Sequence, residues 1–314
     1  MDPDFDAALT TCLRRVPRGR VATCGVVAKA LGDVRAARAV AEWLAVRPRV
    51  EGAHRVVRAD GKPVVPSAIT ILRKEGVRIS RDLVREDAFL DRLPAVPLLG
   101  ALREEQRRLS MKVRGDDDFP SLDRIAGVDV AYSGDQMYAA AVCLRTRDLT
   151  PLEVVHIELR ASFPYIPTYL AYREFPGIAA AVSRLSTRPD VLLIDGHGRL
   201  HPARFGVACH VGVRLDVPAI GVAKHSLVGK PSREPASSDA IPIGLEGRTE
   251  GYAWVPPGRA RAIYVSVGHR ISLERALSVV QRATVQGYPE PLRLADRMSK
   301  ERKQMEKRKK GAKR

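Results

Sequence analysis

Three carboxylates stand where the chain pattern would place them at the ends of secondary-structure elements. Val191-Leu192-Leu193-Ile194 is an aliphatic run that reads as a strand buried on both faces. It delivers Asp195 to its end, followed by Gly196-His197-Gly198, whose glycines let a substrate backbone come close. Ile125-Ala126-Gly127-Val128 leads in the same way to Asp129, and Glu174 stands between the two in Tyr172-Arg173-Glu174. Open α/β sheets bind ligands at such strand ends. In a chain of formal charge +17 these acids point to a divalent metal acting on a phosphodiester. Hard cations held by carboxylates activate water and neutralise charge at the phosphorus. Mg2+ is the expected ion, with Mn2+ able to take its place. Neighbouring strands would bring Asp129 and Asp195 together as ligands, with Glu174 as the third. Lys224 follows another aliphatic strand and points where the aspartates point.

The position of the charge says more than its total. Residues 1–88 hold 17 Lys/Arg against 11 Asp/Glu, and residues 293–314 hold 11 against 3. Basic ends thus flank a nearly neutral body, as two nucleic-acid contacts around a catalytic core would require. The cysteines, Cys12, Cys24, Cys143 and Cys209, show no CxxC or zinc spacing, so neither a disulfide framework nor a zinc site is indicated. No apolar run approaches the ~18 residues of a membrane span. The acidic start Met1-Asp2-Pro3-Asp4 has no signal-peptide layout. The expectation is a cytoplasmic protein without membrane contact, monomeric, with a polyanionic partner.

The elements that must position these residues fall into two groups. In residues 1–88, helical spacing runs from Asp4 to Arg15, from Val26 to Leu31 before Gly32, and from Val34 to Val46 before Pro48. Two helices across a tight glycine turn give a helix-turn-helix outline, here a small winged α domain. Residues 89–100, with Pro94, Pro97 and Gly100, read as a linker. Within 101–296 a basic helix (Leu102 to Val113) leads into three strands in a meander, the first carrying Asp129. A helix (Tyr169 to Leu185) and the strand ending at Asp195 follow. Then come a helix (Ala203 to Leu215), a strand (Ala219 to Ala223), a loop rich in Pro, Ser and Gly, a strand (Ala262 to Val267) and a helix (Ser272 to Ala283). That order predicts an α/β mixed sheet with flanking helices, in the ribonuclease H-like arrangement. Residues 297–314 read as a mobile basic tail.

From about Leu102 to Ser299 the chain resembles endonuclease V, the nuclease that cuts near deaminated bases such as hypoxanthine. The resemblance rests on Gly127-Val128-Asp129-Val130-Ala131-Tyr132, Phe163-Pro164-Tyr165-Ile166-Pro167, Tyr172-Arg173-Glu174, Asp195-Gly196-His197-Gly198, His201-Pro202, Gly221-Val222-Ala223-Lys224, and Pro289-Glu290-Pro291 with Ala295-Asp296. It implies catalytic roles for Asp129, Glu174, Asp195, Lys224 and His201, with Lys224 on the phosphate and His201 orienting the leaving side. It adds Asp296 as a fourth metal ligand. Pro164 and Pro167 stiffen a loop that would present Tyr165 and Ile166 as a wedge, replacing lost stacking while a base leaves the helix. Gly196, Gly198 and Gly206 would line the pocket for that base through backbone contacts. The implied substrate is DNA with deaminated bases, and inosine-containing RNA stays open beside it.

Over residues 3–79 the chain resembles the alkylguanine-DNA alkyltransferases and their alkyltransferase-like relatives. The matching pieces are Pro17-Arg18-Gly19-Arg20-Val21, Gly25 to Gly32, Ala36-Ala37-Arg38-Ala39-Val40, and His54-Arg55-Val56-Val57 with Asp60-Gly61. The alkyl-accepting cysteine belongs immediately before His54, where this chain has Ala53, and the tyrosine that assists nucleotide rotation belongs at Cys24. The implied reading is a damage-binding module without alkyl transfer, a thiolate being indispensable to that chemistry. Arg38 would fill the gap left by an extruded nucleotide, His54 and Arg55 would lie against DNA, and alkylated bases become a candidate ligand.

Overall fold

Period-two burial organises the larger part of the molecule, and capped helices the smaller. A computed structural model describes residues 3–119, 121–233, 235–236 and 239–311. Its contacts divide the chain into two units, one running to Glu105 and including Ser162–Pro167, the other comprising Gln106–Ala161 and the chain from Thr168 onward.

In the first unit α1 (Phe5–Arg14) begins where the Asp4 carboxylate accepts from the Ala7 amide, and it buries Phe5, Leu9, Cys12 and Leu13. Strand β1 (Val21–Thr23) ends in Thr23, whose hydroxyl accepts from the Val26 amide and so starts α2 (Cys24–Ala30). The helix α3 (Ala37–Val46) follows a short 3-10 turn at 34–36. Then come β2 (Val56–Val57), α4 (Ala68–Lys74), the hairpin of β3 (Ile79–Ser80) with β4 (Leu83–Val84), and β5 (Phe89–Leu90). Strands β2, β1 and β5 form a parallel sheet in that order. The expected linker 89–100 is therefore not a plain connector. Phe89 and Leu90 pair with Val21 and Ala22, and α5 (Leu98–Ser110) already begins at Leu98.

The second unit is a mixed α/β layer structure around an eight-stranded sheet. Its strands are β6 (Arg124–Ser133), β7 (Gln136–Arg145), β8 (Pro151–Arg160), β9 (Val191–Asp195), β10 (Ala219–Ala223), β11 (Ala240–Leu245), β12 (Arg248–Trp254) and β13 (Ile263–His269). They lie in the order β11-β12-β13-β10-β9-β6-β7-β8, with β9 parallel to both β6 and β10 and the remaining pairs antiparallel. On one face Ala126, Val128, Leu192 and Ile194 pack with α6 (Leu170–Ser183) and α7 (Val207–Leu215). On the other, Ile125, Leu193, Ile220 and Val222 pack with α8 (Leu273–Arg282) and α9 (Glu290–Gly311). Between these two helices a short hairpin joins β14 (Thr284–Gln286) to β15 (Tyr288–Pro289). Gly127 lets α9 approach β6 closely, because a Cβ there would collide with the backbone of Pro291 and Leu292.

Two expectations change. The loop rich in Pro, Ser and Gly holds the hairpin β11–β12, although its residues 234, 237 and 238 lie outside the described residues. The expected mobile tail at 297 onward is instead the continuation of α9 to Gly311, and residues 312–314 lie outside the described residues. Among the described residues no helix is long and apolar enough to cross a membrane.

Candidate active site

The alternation of side chains along a strand explains why three charged residues converge. Ile125, Gly127 and Asp129 share the α9 face of β6, Leu193 and Asp195 share it on β9, and Ile220, Val222 and Lys224 continue it from β10. The register Val128↔Ile194 sets Asp129 beside Asp195 one step further on. Lys224 Nζ donates to Asp195 Oδ2 at 2.5 Å. Glu174 comes from α6, on the opposite face of the sheet, and Asp296 from α9, where Lys300 Nζ donates to its carboxylate at 2.8 Å.

These acids feel one another. Burial pushes Asp129 up to about 6, and Asp195 and Asp296 add to the rise, while a hydrogen bond from Ser299 opposes it. Glu174 is raised well above the usual carboxylate range, first by burial and then by Asp129 and Asp195. Burial opposes the charge of Lys224, but Asp195 outweighs it and the lysine's pKa is raised. The donor set is all oxygen, as a hard divalent cation requires, and its like charges repel in a way that a cation would relieve. As the side chains stand, no three His, Cys, Asp or Glu among the described residues close into a ready ligand cluster. The oxygens are turned instead toward internal partners. Lys224 and the Tyr288 hydroxyl lie on Asp195, and the Ser299 hydroxyl lies 3.1 Å from Asp129 Oδ2.

Tyr288 and Ser299 were not legible as site residues. Tyr288 is buried, its hydroxyl 3.1 Å from both Asp195 Oδ1 and the Val222 carbonyl, with Lys224 Nζ 4.9 Å from its ring centre. Ser299 lies one helical turn after Asp296, a spacing that would have placed it on the same face of α9 had that helix been foreseen.

Several expected site residues have polar atoms engaged within the fold. His201 is buried with both ring nitrogens engaged: Nδ1 accepts from the Ala203 amide, and Nε2 donates to the Thr168 carbonyl at 3.1 Å. Backbone groups thus hold both nitrogens of the ring. The amides of Gly196, Gly198 and Gly206 donate to Val222 O, Ser266 Oγ and Gly198 O. What glycine supplies there is close approach: a Cβ on Gly221 would strike the Gly198 amide, and one on Gly206 the His197 carbonyl.

In the first unit the segment 162–167 buries Phe163 and Ile166 and exposes Tyr165 at 55%. Phe163 meets the Phe5 ring edge-on at 5.9 Å. Of the expected wedge pair, Ile166 is therefore an anchor, and Tyr165, flanked by Pro164 and Pro167, is the residue presented. Arg38, 83% exposed on α3, pairs across one turn with Glu42. His54 and Arg55 turn inward, against their expected place on DNA. Arg55 donates to both Glu75 oxygens and to Val16 O, and His54 Nε2 lies 3.0 Å from Glu75 Oε1. The Arg55 guanidinium holds Glu75 down at about 2 against the effect of its burial, with His54 and the Gly19 amide assisting. Ala53 is fully buried beside this pair, and burial pushes the Cys24 thiol up to about 11.

Comparison with known proteins matches residues 107–297 to the model of the endonuclease V family. Residues 4–88 match the DNA-binding domain of 6-O-methylguanine DNA methyltransferase. Endonuclease V of Thermofilum pendens is 42% identical over 207 residues, covering 65% of this chain and 88% of that protein. The structure of human endonuclease V superposes with a TM-score of 0.59 at 33% identity, covering 65% of this chain and 97% of that one. Ciona intestinalis endonuclease V, solved with a DNA 24-mer containing an inosine followed by a ribo-adenosine, gives a TM-score of 0.60 at 26% identity over 67% and 98% of the two chains.

Proposed function

The chain belongs to the endonuclease V family over residues 107–297, and from that premise we propose that it nicks DNA near a deaminated base. Members of the family are metal-dependent nucleases. The observation that carries the reading is the pairing of Asp129 and Asp195 on adjacent parallel strands, with Lys224 Nζ 2.5 Å from Asp195. This is an arrangement of ribonuclease H-like type. Asp129, Asp195 and Glu174, with Asp296 as a fourth, would hold Mg2+, or Mn2+ in its place. The bound ion would lower the pKa of a water and screen charge at the phosphorus. A water oxygen bonds to phosphorus and the phosphorus bond to the 3′ oxygen breaks, leaving 3′-hydroxyl and 5′-phosphate ends. The Lys224 ammonium offsets charge building on the non-bridging oxygens. Tyr165 stacks in place of the base that leaves the helix.

The N-terminal unit, of winged helix-turn-helix type in this reading, binds DNA without accepting an alkyl group. Ala53 supplies no nucleophile, and Cys24 is held protonated by burial. Arg38 is its exposed candidate for probing the duplex, and alkylguanine is its candidate ligand. The test is nicking of matched DNA and RNA oligonucleotides, with and without hypoxanthine, by the full chain and by Asp129→Ala and Asp195→Ala. Metal-dependent nicking of hypoxanthine DNA, lost in both variants while DNA binding persists, is expected. Full activity in chelator or in either variant would overturn the assignment. Cutting confined to the RNA would replace DNA by inosine-containing RNA as the substrate.

A further inference from the structure

At the end of the sheet away from Asp195 lies a cleft of about 790 Å³ walled by arginines. Arg124 opens β6 and pairs in register with Arg145, which closes β7, and Arg282 ends α8. With about 3.3 Å per strand residue, Arg124 sits roughly 16 Å from Asp129 along β6. The cleft is therefore separate from the catalytic carboxylates, and its size falls within the roughly 300–1,000 Å³ of small-molecule sites.

Four arginines of the wall, Arg124, Arg145, Arg147 and Arg282, face one wall carboxylate, Asp123, whose Oδ2 accepts from the Ser121 hydroxyl at 2.9 Å. Asp190 Oδ2 accepts from the Asp123 and Arg124 amides at 2.9 Å each, and its other oxygen is 3.5 Å from the Arg124 guanidinium. Asp148 accepts from the Thr150 amide at 3.1 Å, and Arg145 and Arg147 reach its other oxygen only at 3.3 and 3.4 Å. Those guanidinium contacts are long for charge-assisted bonds, whose usual length is about 2.7–2.9 Å. Arg282 makes no ion pair among the described residues. The Thr146 hydroxyl, on a residue of the cleft wall, is buried without a hydrogen-bond partner among the described residues. Leu152, 40% exposed, gives the same wall an apolar surface.

We propose that this cleft is a second binding site, taking a phosphate monoester or diester whose attached sugar and base lie against Leu152. Guanidinium forks match phosphate oxygens bidentately, a lone hydroxyl adds a donor, and an apolar wall suits the non-ionic part of a nucleotide. The same chemistry can come from a free nucleotide or from a nucleic-acid strand passing the sheet's far end.

The test uses the full chain in chelator, to silence the metal site. Deoxyadenosine 5′-monophosphate, deoxyadenosine and an undamaged single-stranded 12-mer are titrated into wild type, the double variant Arg147→Gln/Arg282→Gln, and Thr146→Val. The expected result is binding of the monophosphate but not the nucleoside, at least tenfold weaker in the double variant. Thr146→Val should bind several-fold more weakly with an equal or higher melting temperature, since a hydroxyl without a partner is removed. If only the 12-mer loses affinity in the double variant, and its salt dependence becomes shallower, the strand is the source of the phosphate. Nicking of a short hypoxanthine duplex in Mg2+ should survive in Arg147→Gln/Arg282→Gln and in Thr146→Val, since neither touches the catalytic end. Equal affinities for every probe across wild type and variants, or monophosphate binding that is lost in Lys224→Ala instead, would overturn the proposal.

Discussion

Tyr288→Phe isolates a single hydroxyl behind the catalytic carboxylates. That hydroxyl lies 3.1 Å from Asp195 Oδ1 and from the Val222 carbonyl, and having one proton it donates to one of them at a time. Removing it leaves the Val222 carbonyl satisfied, because the Gly196 amide also donates to it at 2.9 Å. The ring keeps its place beneath Lys224 Nζ, so packing and the cation–π contact survive. What is lost is a hydrogen bond to a charged oxygen, worth about 1.5–3 kcal/mol. If it orients Asp195 for a metal, that loss becomes roughly 10–100-fold in metal affinity, the range seen when partners of metal ligands are removed. Isothermal calorimetry with Mg2+, and the Mg2+ concentration giving half-maximal nicking, should both move by that factor. At saturating metal the rate should return to within a few-fold of wild type, with the melting temperature nearly unchanged. Unaltered or tighter metal binding, or a rate that saturating metal does not restore, would refute the positioning role of Tyr288.

Tyr165→Ala should slow nicking of hypoxanthine in a duplex more than in single-stranded DNA, because only the duplex has a stack to open; base stacking of about 1–3 kcal/mol sets the scale. Equal losses on both substrates, measured as single-turnover rates, would remove the wedge from Tyr165. In the N-terminal unit Glu75 is lowered from the usual 4.5 to about 2, chiefly by Arg55. A carboxylate lowered in the folded state stabilises above its unfolded value, so up to about 3 kcal/mol present at neutral pH should fade as pH drops from about 4.5 toward 2. Glu75→Gln should remove that pH dependence and lower the melting temperature of this unit at pH 7, read by circular dichroism, whereas a wild-type acid transition in the variant would show that Glu75 does not carry it.

How much was legible in the chain depended on whether the signal was local. Asp129, Asp195 and Lys224 each end an aliphatic run, and strand period alone puts them on one face. The hairpin β11–β12 escaped because Pro242 interrupts Ile241 and Ile243, yet both isoleucines are buried and the proline sits exposed on an edge strand, where a missing amide costs no ladder bond. The helix α9 escaped because its sequence after Ser299 is dominated by Lys, Arg and Glu with no apolar period, while its earlier turns set Leu292, Ala295 and Ser299 against the sheet. His54 and Arg55 looked like DNA contacts because nothing near them in sequence announces Glu75, 20 residues or more away, as their partner.

The molecule buries carboxylates in two opposite ways, and the contrast separates structure from chemistry. Glu75 receives a bidentate guanidinium, a histidine and a backbone amide, and its pKa falls to about 2. Its charge is compensated within the fold, so its work is finished when the chain is folded. Asp129 receives one serine hydroxyl and faces two other carboxylates, and its pKa rises to about 6. Nothing in folding requires that repulsion. The ammonium groups of Lys224 and Lys300 lie on other carboxylates, Asp195 and Asp296, and neither donates to Asp129, whose pKa stays raised. A fold that already solves the buried-acid problem at Glu75 leaves it unsolved where a cation and a phosphodiester would complete the charge balance.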